Sequence, residues 1–317
     1  MTTAVLVAGL VLVALPHALE LRSSTPGWAA TAWLAGLVAR AAGVLLAIAW
    51  LVVVVPRSDL FVGATRWCWH AVVPYLATHL KFSGHGVGDA ALLIPALAVA
   101  VSGFAAGYGA MRATAAVRRY LRRSSVGSGP GGSVIVPGPG VLLAAAGIAR
   151  PRVVVSAGAL LQLDDEELAA GLEHERGHIA RRHRWLLLTG ELARGVGRPI
   201  PGSSRALREL SFHLERDADR WALRRRHDRL ALASVICKAA TTAVPLAAVA
   251  SLGGADVTAR VRELMEDAPE RSSSRGGVIV RLLAVCLVAG AIGTTIDVPG
   301  AIAVPAGPGD PSIDCSS

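Results

Sequence analysis

The sequence predicts a mostly α-helical membrane protein. About four transmembrane helices are expected, with an α-rich cytosolic domain, containing a small β element, inserted before the last of them. Three observations lead there. Apolar residues make up 53% of the 317 and the mean hydropathy is +0.50, both high for a soluble chain of this length. Aromatics are only 4%, so the excess lies in Ala, Val, Leu and Gly, as in membrane helices. Long apolar runs alternate with arginine clusters, and a stretch of mixed polarity before the last run carries histidines and carboxylates at helical spacing.

Residues 3–19 (TAVLVAGLVLVALPHAL) are apolar with no basic residue before them, so a retained membrane helix is expected rather than a secretory signal. A second apolar segment runs from Trp28 to Val55, broken by Arg40, which a segment of this length can slide or snorkel out of the bilayer centre. Residues 56–89 are mixed and hold Trp67 and Trp69, which suit a membrane interface. His70, His79 and His85 lie there without helical spacing or a carboxylate, and read as solvated or interfacial. Ala90 to Ala110 is a third membrane segment, rich in small residues that permit close helix packing. Arg112, Arg118, Arg119, Arg122 and Arg123 follow at once and mark the cytoplasmic side. The amino terminus then lies outside, and Arg112 to Arg275 inside.

The net charge of +9 reads as topology signals and membrane-facing charge. The basic residues cluster at the ends of apolar runs without aromatic interleaving, so direct nucleic-acid binding is not expected. Only two of the thirty-two basic residues are lysine, as in a GC-rich bacterial genome. Cys68, Cys237, Cys286 and Cys315 show no C-x-x-C spacing, so neither a zinc knuckle nor a disulfide framework follows.

Residues 124–140 (SSVGSGPGGSVIVPGPG) read as a flexible linker with one short strand candidate. Arg152 to Ser156 is a strand by its valine run. Leu163-Asp164-Asp165-Glu166-Glu167 then puts acidic residues where the positive end of a helix dipole favours them. That helix runs into His174-Glu175-Arg176-Gly177-His178.

On a helix, residues four apart share a face, so His174 and His178 can address one metal ion. Glu175 lies one position round, beside such an ion rather than on it, where a general base is needed. This is the H-E-x-x-H arrangement of zinc-dependent peptidases. Arg181, Arg182, His183 and Arg184 follow as a basic cluster that suits substrate, anionic headgroups or a solvated helix end. His183, five residues after His178, is off the metal-facing stripe.

A later helix carries Phe212-His213-Leu214-Glu215-Arg216-Asp217-Ala218-Asp219. Zinc takes three protein ligands in open sites, and Glu215 can complete the set. Asp219, one turn on, can accept a hydrogen bond from the free nitrogen of a ligand histidine. Two alternatives stay open: His213 as the third ligand, or Glu215 and Asp219 paired with Arg216, Arg220 or Arg224 on an exposed face. The oxyanion of peptide hydrolysis needs a further donor, and His227 or one of Arg224 to Arg226 is a candidate. Leu230 to Leu252 is long enough to span, but Lys238 and Pro245 interrupt it, so a helix of the cytosolic domain is preferred. Val278 to Ile296 is the last membrane segment. The expected division is a three-helix membrane region over 1–123, the linker over 124–140, the cytosolic domain over 141–276, a fourth membrane helix over 277–297 and a short extracytoplasmic tail over 298–317.

With both motifs in view, the chain resembles the BlaR/MecR antirepressor family of membrane zinc metallopeptidases, and more distantly the HtpX and CAAX-prenyl-protease group. The likeness rests on H-E-R-G-H at 174–178, E-R-D-A-D at 215–219, the lead-in V-V-V-S-A-G-A-L-L at 153–161 with D-D-E-E-L at 164–168, and the order of parts. The resemblance implies a zincin-like domain in which one Zn²⁺ is held by His174, His178 and Glu215, with Glu175 as catalytic base. It also implies a multi-pass protein of the bacterial plasma membrane whose substrate is a small winged-helix repressor in the cytosol. The antibiotic-sensing members carry a penicillin-binding domain after their last membrane segment; here only residues 297–317 follow, so direct β-lactam sensing is not expected. A quality-control protease of membrane proteins, or a non-catalytic zinc-binding signalling protein, are the rival expectations. An intact Glu175 argues against the second.

Overall fold

The computed structural model describes residues 21–53, 125–147, 151–241 and 256–266, with scattered positions among 13–17 and 97–119. The expected helix over 277–297, the tail, most of 3–19, and His70, His79 and His85 lie outside the described residues.

Four short strands, β1 (Gly127–Ser128), β2 (Val134–Val136), β3 (Leu143–Ala146) and β4 (Arg152–Ser156), form one sheet in the order β1-β2-β4-β3. β4 is the strand its valines predict, and Val153, Val154 and Val155 are all buried. It pairs in parallel with β2 (Val134 with Val154) and antiparallel with β3 (Ala145 opposite Val153), which leaves β3 at the sheet edge. β1 and β2 fall in the stretch read as a linker, β2 at the short strand candidate noted there. Gly131 and Gly132 take positive φ of 62° and 76°, a conformation side chains resist, and turn the chain so that Gly127 pairs antiparallel with Ile135. The glycines serve one turn, and Val134-Ile135-Val136 supplies enough apolar β-branched surface to hold the strand.

Seven helices are described: α1 (Pro26–Val53), α2 (Ala157–Gln162), α3 (Asp165–Ala180), α4 (His183–Val196), α5 (Ser203–Arg224), α6 (Arg229–Ala240) and α7 (Val257–Met265). Ser156 caps α2 through the Ala159 N–H. Asp164 and Glu167 form a reciprocal capping box on α3, as the acidic run at its start foretells. Within the second apolar segment, Pro26–Ile48 of α1 is long and apolar enough to cross a membrane; among the described residues no other helix is.

α1 does not stand apart from the domain that follows the linker. Ala30, Trp33 and Leu37 share a core with Ala193 of α4 and Ala206, Leu210 and Leu214 of α5. Fully burying each leucine contributes roughly 2 kcal/mol. Val38, Leu45 and Leu46 point outward. α1, which falls in the region expected as membrane helices, thus packs against the domain expected over 141–276. A helix apolar all round can bury one face against protein and leave the other to lipid. Arg40 is only 1% exposed and does not snorkel. Its guanidinium donates to the carbonyls of Gly36 (3.0 Å) and Val13 (3.2 Å) and lies 2.8 Å from His17 Nε2. Of the stretch 230–252, α6 covers the described part as a helix of the domain, burying Leu232, Val235 and Ile236. Lys238 near its end reaches the buried Glu167 carboxylate at 2.6 Å.

Candidate metal centre

α3 and α5 pack closely enough that a Cβ on Gly177 would lie 3.0 Å from the Trp221 side chain, which would have to give by a few tenths of an ångström. Trp221 is held by donating its Nε1–H to Glu173 on α3 (2.9 Å). This contact brings Glu215 opposite the two histidines. His174 Nε2 and His178 Nε2 are 3.2 Å apart, and each is 3.5 Å from an oxygen of Glu215. The three residues are buried, and one ligand atom from each lies within 4.8 Å of the others, which makes them a candidate metal site.

The outward-facing nitrogens of both histidines are also engaged. His174 Nδ1 is 2.9 Å from Asp219 Oδ1, as the spacing of Glu215 and Asp219 predicts, though without a well-aligned hydrogen bond. His178 Nδ1 is 3.0 Å from His183 Nδ1, and His183 Nε2 is 3.2 Å from Asp217 Oδ2. His183 is 1% exposed. Its position follows from a break: Arg182, at φ 55°, ends the run of α3 and restarts the chain as α4, folding His183 back beneath His178.

From α7, Arg260 donates to both oxygens of Asp219 (2.9 and 2.7 Å) and lies 2.9 Å from Glu215 Oε2. Neither His183 nor Arg260 was singled out by the sequence as a site residue. For Arg260 the available signal was its place, with Val257, Val261 and Leu264, on the apolar stripe of a short helix, since a buried arginine needs a partner.

Glu175 turns toward the sheet. Its Oε2 accepts the Ala145 N–H of β3 at 2.6 Å, which fixes the carboxylate beside β3, the edge strand among the described residues. Burial, and secondarily the Glu215 charge, raise its pKa, opposed by His174, the Ala145 N–H and Arg260. Burial also tends to raise Glu215, but Arg260, His178 and His174 outweigh it and hold it down at about 2. Asp219 is lowered against its burial, chiefly by Arg260. Burial would depress His174, but Asp219 and Glu215 push it up to about 10. His178, depressed by burial and by the charges of His174, His183 and Arg260 against Glu215, falls to about 3.

The rival ligand His213 is fully buried elsewhere, with Nδ1 3.1 Å from Arg216 and its ring against Phe212. The contacts of Glu215 and Asp219 are buried, so the alternative of an exposed ion-pair face does not describe them. His227 sits in the turn between α5 and α6, and none of the polar contacts of the centre involves it. Arg224, Arg225 and Arg226 are exposed, Arg225 lying over the Trp221 ring.

Two imidazoles and a carboxylate that could hold a metal ion, with a half-buried carboxylate alongside, are the donor set of a candidate metal centre. The family model of peptidase family M48 matches residues 135–194, a stretch that holds β3, β4, α3 and most of α4. The match supports a metallopeptidase of that family, and M48 peptidases are zinc-dependent. No curated protein and no solved structure matches the chain. The residues fit zinc: nitrogen and oxygen donors converge in a buried place, and each histidine has an outer partner that fixes its ring.

Proposed function

We propose that this chain is a membrane-embedded zinc metalloendopeptidase that hydrolyses peptide bonds of a cytosolic protein, a transcriptional repressor in a signalling pathway. The observation that carries the peptidase reading is the buried set His174, His178 and Glu215 with the Glu175 carboxylate pinned beside it. His174, His178 and Glu215 would hold the ion, which when bound supplies the positive charge that polarises a peptide carbonyl and activates water.

Glu175 acts as general base and then general acid. Its Oε2 is occupied by the Ala145 N–H, which leaves Oε1 to take a proton from the attacking water and pass it to the leaving amine. The pKa raised by burial brings this carboxylate closer to the range a base needs at neutral pH. Asp219, through His174, and His183 with Asp217, through His178, orient the two rings. β3, the edge strand among the described residues, is where an extended peptide would add as a further strand, next to Glu175.

The membrane reading draws on α1 and on the arginine-flanked apolar segments. The repressor as substrate draws on the resemblance to the BlaR/MecR family. Mapping of new protein termini in cells carrying wild type or Glu175→Ala tests it. Loss of one repressor-like cleavage in the variant supports the dedicated protease. Accumulation of many membrane proteins supports the quality-control alternative, and identical termini with zinc still bound contradict a peptidase.

A further inference from the structure

β3 is the edge strand among the described residues, and one bond fixes which way its backbone groups point. The Ser156 N–H donates to the Leu142 carbonyl, so Leu142, and by alternation Ala144 and Ala146, turn their backbone groups towards β4. Leu143 and Ala145 turn theirs outward, in agreement with the bond from the Ala145 N–H to Glu175. Two residues further on, about 7 Å along an extended chain, the Gly147 carbonyl accepts a hydrogen bond of 3.0 Å from Nη1 of Arg184. The stretch Ala145 to Gly147 is thus held at one end by the proposed base and at the other by an arginine.

Within the basic cluster at 181–184, Arg181 lies 3.7 Å from Asp217 and over the Trp221 ring, and Arg182 is exposed. Arg184 is placed differently. It is half-buried beside the end of β3, and among the described residues it makes no ion pair with a carboxylate. Burial lowers its pKa, and the Glu175 charge is near enough to oppose this. A cation here also costs α4 some stability, because the first turn of a helix favours negative charge. A guanidinium has five N–H donors in a fixed fork, and the Gly147 carbonyl takes one of them. A carboxylate matches the rest best, with two parallel bonds and the opposite charge. In an unmodified peptide that group comes from Asp, Glu or the chain terminus.

We propose that Arg184 is a specificity-determining residue that binds a carboxylate of the substrate within about two residues of the cleaved bond. The proposal rests on the peptidase reading, in which the cleaved bond lies beside Glu175 and the peptide runs along β3. A peptide strand advances about 3.4 Å per residue, so the step from Ala145 to Gly147 corresponds to two of its residues. The carboxylate belongs either to an acidic side chain or to the peptide's own terminus.

The test uses the full chain purified in a neutral detergent, as Glu175→Gln so that peptides persist. The probes are octapeptides of Ala, Ser and Val with a net-neutral dye, blocked at both ends, carrying Glu, Gln or Lys at each position in turn. A second set leaves the terminal carboxylate free or amidated. Fluorescence anisotropy reads binding, and thermal unfolding checks each variant. Glu at one position should bind about tenfold or more tighter than Gln. Arg184→Gln, which keeps a donor for Gly147, should abolish that difference, Arg184→Lys should keep part of it, and Arg184→Glu should favour Lys instead. A purely structural arginine would produce no such reversal. The same pattern with the free terminus in place of Glu assigns the carboxylate to the chain end. Equal binding of charged and neutral peptides by the parent protein, binding of none, or a preference that persists in a folded Arg184→Gln overturns the proposal. Acid-selective binding without cleavage by the zinc-loaded wild type leaves Arg184 as the binding group and overturns the peptidase reading instead.

Discussion

His183 Nδ1 lies 3.0 Å from His178 Nδ1, while its own Nε2 lies 3.2 Å from Asp217 Oδ2. A buried histidine thus stands between a metal-facing histidine and a carboxylate, one step further out than the direct contact of Asp219 with His174. Burial works against the Asp217 charge, and the His183 contact and Arg181 hold its pKa down, so the carboxylate stays ionised to fix the tautomer of His183.

Truncating this relay should weaken the metal site without touching a ligand. His183→Ala is expected to lower zinc affinity about ten- to a hundredfold, and Asp217→Asn by less. Competition with a chromogenic chelator measures both. Unchanged affinity in His183→Ala would mean that the ring only fills space.

Arg260 balances two buried carboxylates, Glu215 and Asp219. Arg260→Met leaves them uncompensated, so the metal-free protein should lose about 3–5 kcal/mol of stability. Arg260→Met/Asp219→Asn should recover part of that loss, since only one unpaired charge remains. Denaturant unfolding of the metal-free forms compares the three.

Glu175→Gln keeps an oxygen to accept the Ala145 N–H and loses the proton acceptor. Hydrolysis should fall at least about a hundredfold, with zinc retained. A parallel loss of zinc would show that Glu175 holds the ion or the local fold instead.

Glu167 is a buried acid outside the centre. Burial tends to raise its pKa, but Lys238, Ser234 and the Asp164 N–H overcome this and lower it from the usual 4.5. Its folded-state value is therefore below its unfolded one, so its stabilising effect is present above about pH 4.5 and is lost as the pH falls through the lower, folded value. Lys238→Met should cost stability at pH 7, and the difference from wild type should shrink as the pH falls well below 4.5. A difference that stays constant with pH would contradict this pairing.

The sequence made legible whatever depends on local spacing. His174 and His178 share a face because any helix puts them there, the acidic run at 164–167 caps that helix, and the valines of 152–156 form β4. Glu215 and Asp219 were readable for the same reason. What escaped depends on where helices break and which distant elements meet. His183 looked off-stripe on a continuous helix, but α3 ends at Ala180 and the left-handed Arg182 starts α4 at His183. Arg260 arrives from α7, forty-one residues beyond Asp219, and nothing local ties the two. Of the hairpin of β1 and β2 only one strand was readable, because its glycines signal a turn as readily as a linker. The apolar face of α1 against α4 and α5 was hidden because lipid and protein select the same residues.

The most direct measurement is zinc per chain in the purified full-length protein and in Glu215→Ala, with Glu175→Gln as the control. One zinc per chain is predicted in wild type and Glu175→Gln, with nearly none in a folded Glu215→Ala. Zinc at the wild-type level in Glu215→Ala, or none in the wild type itself, would contradict a metal centre built from His174, His178 and Glu215.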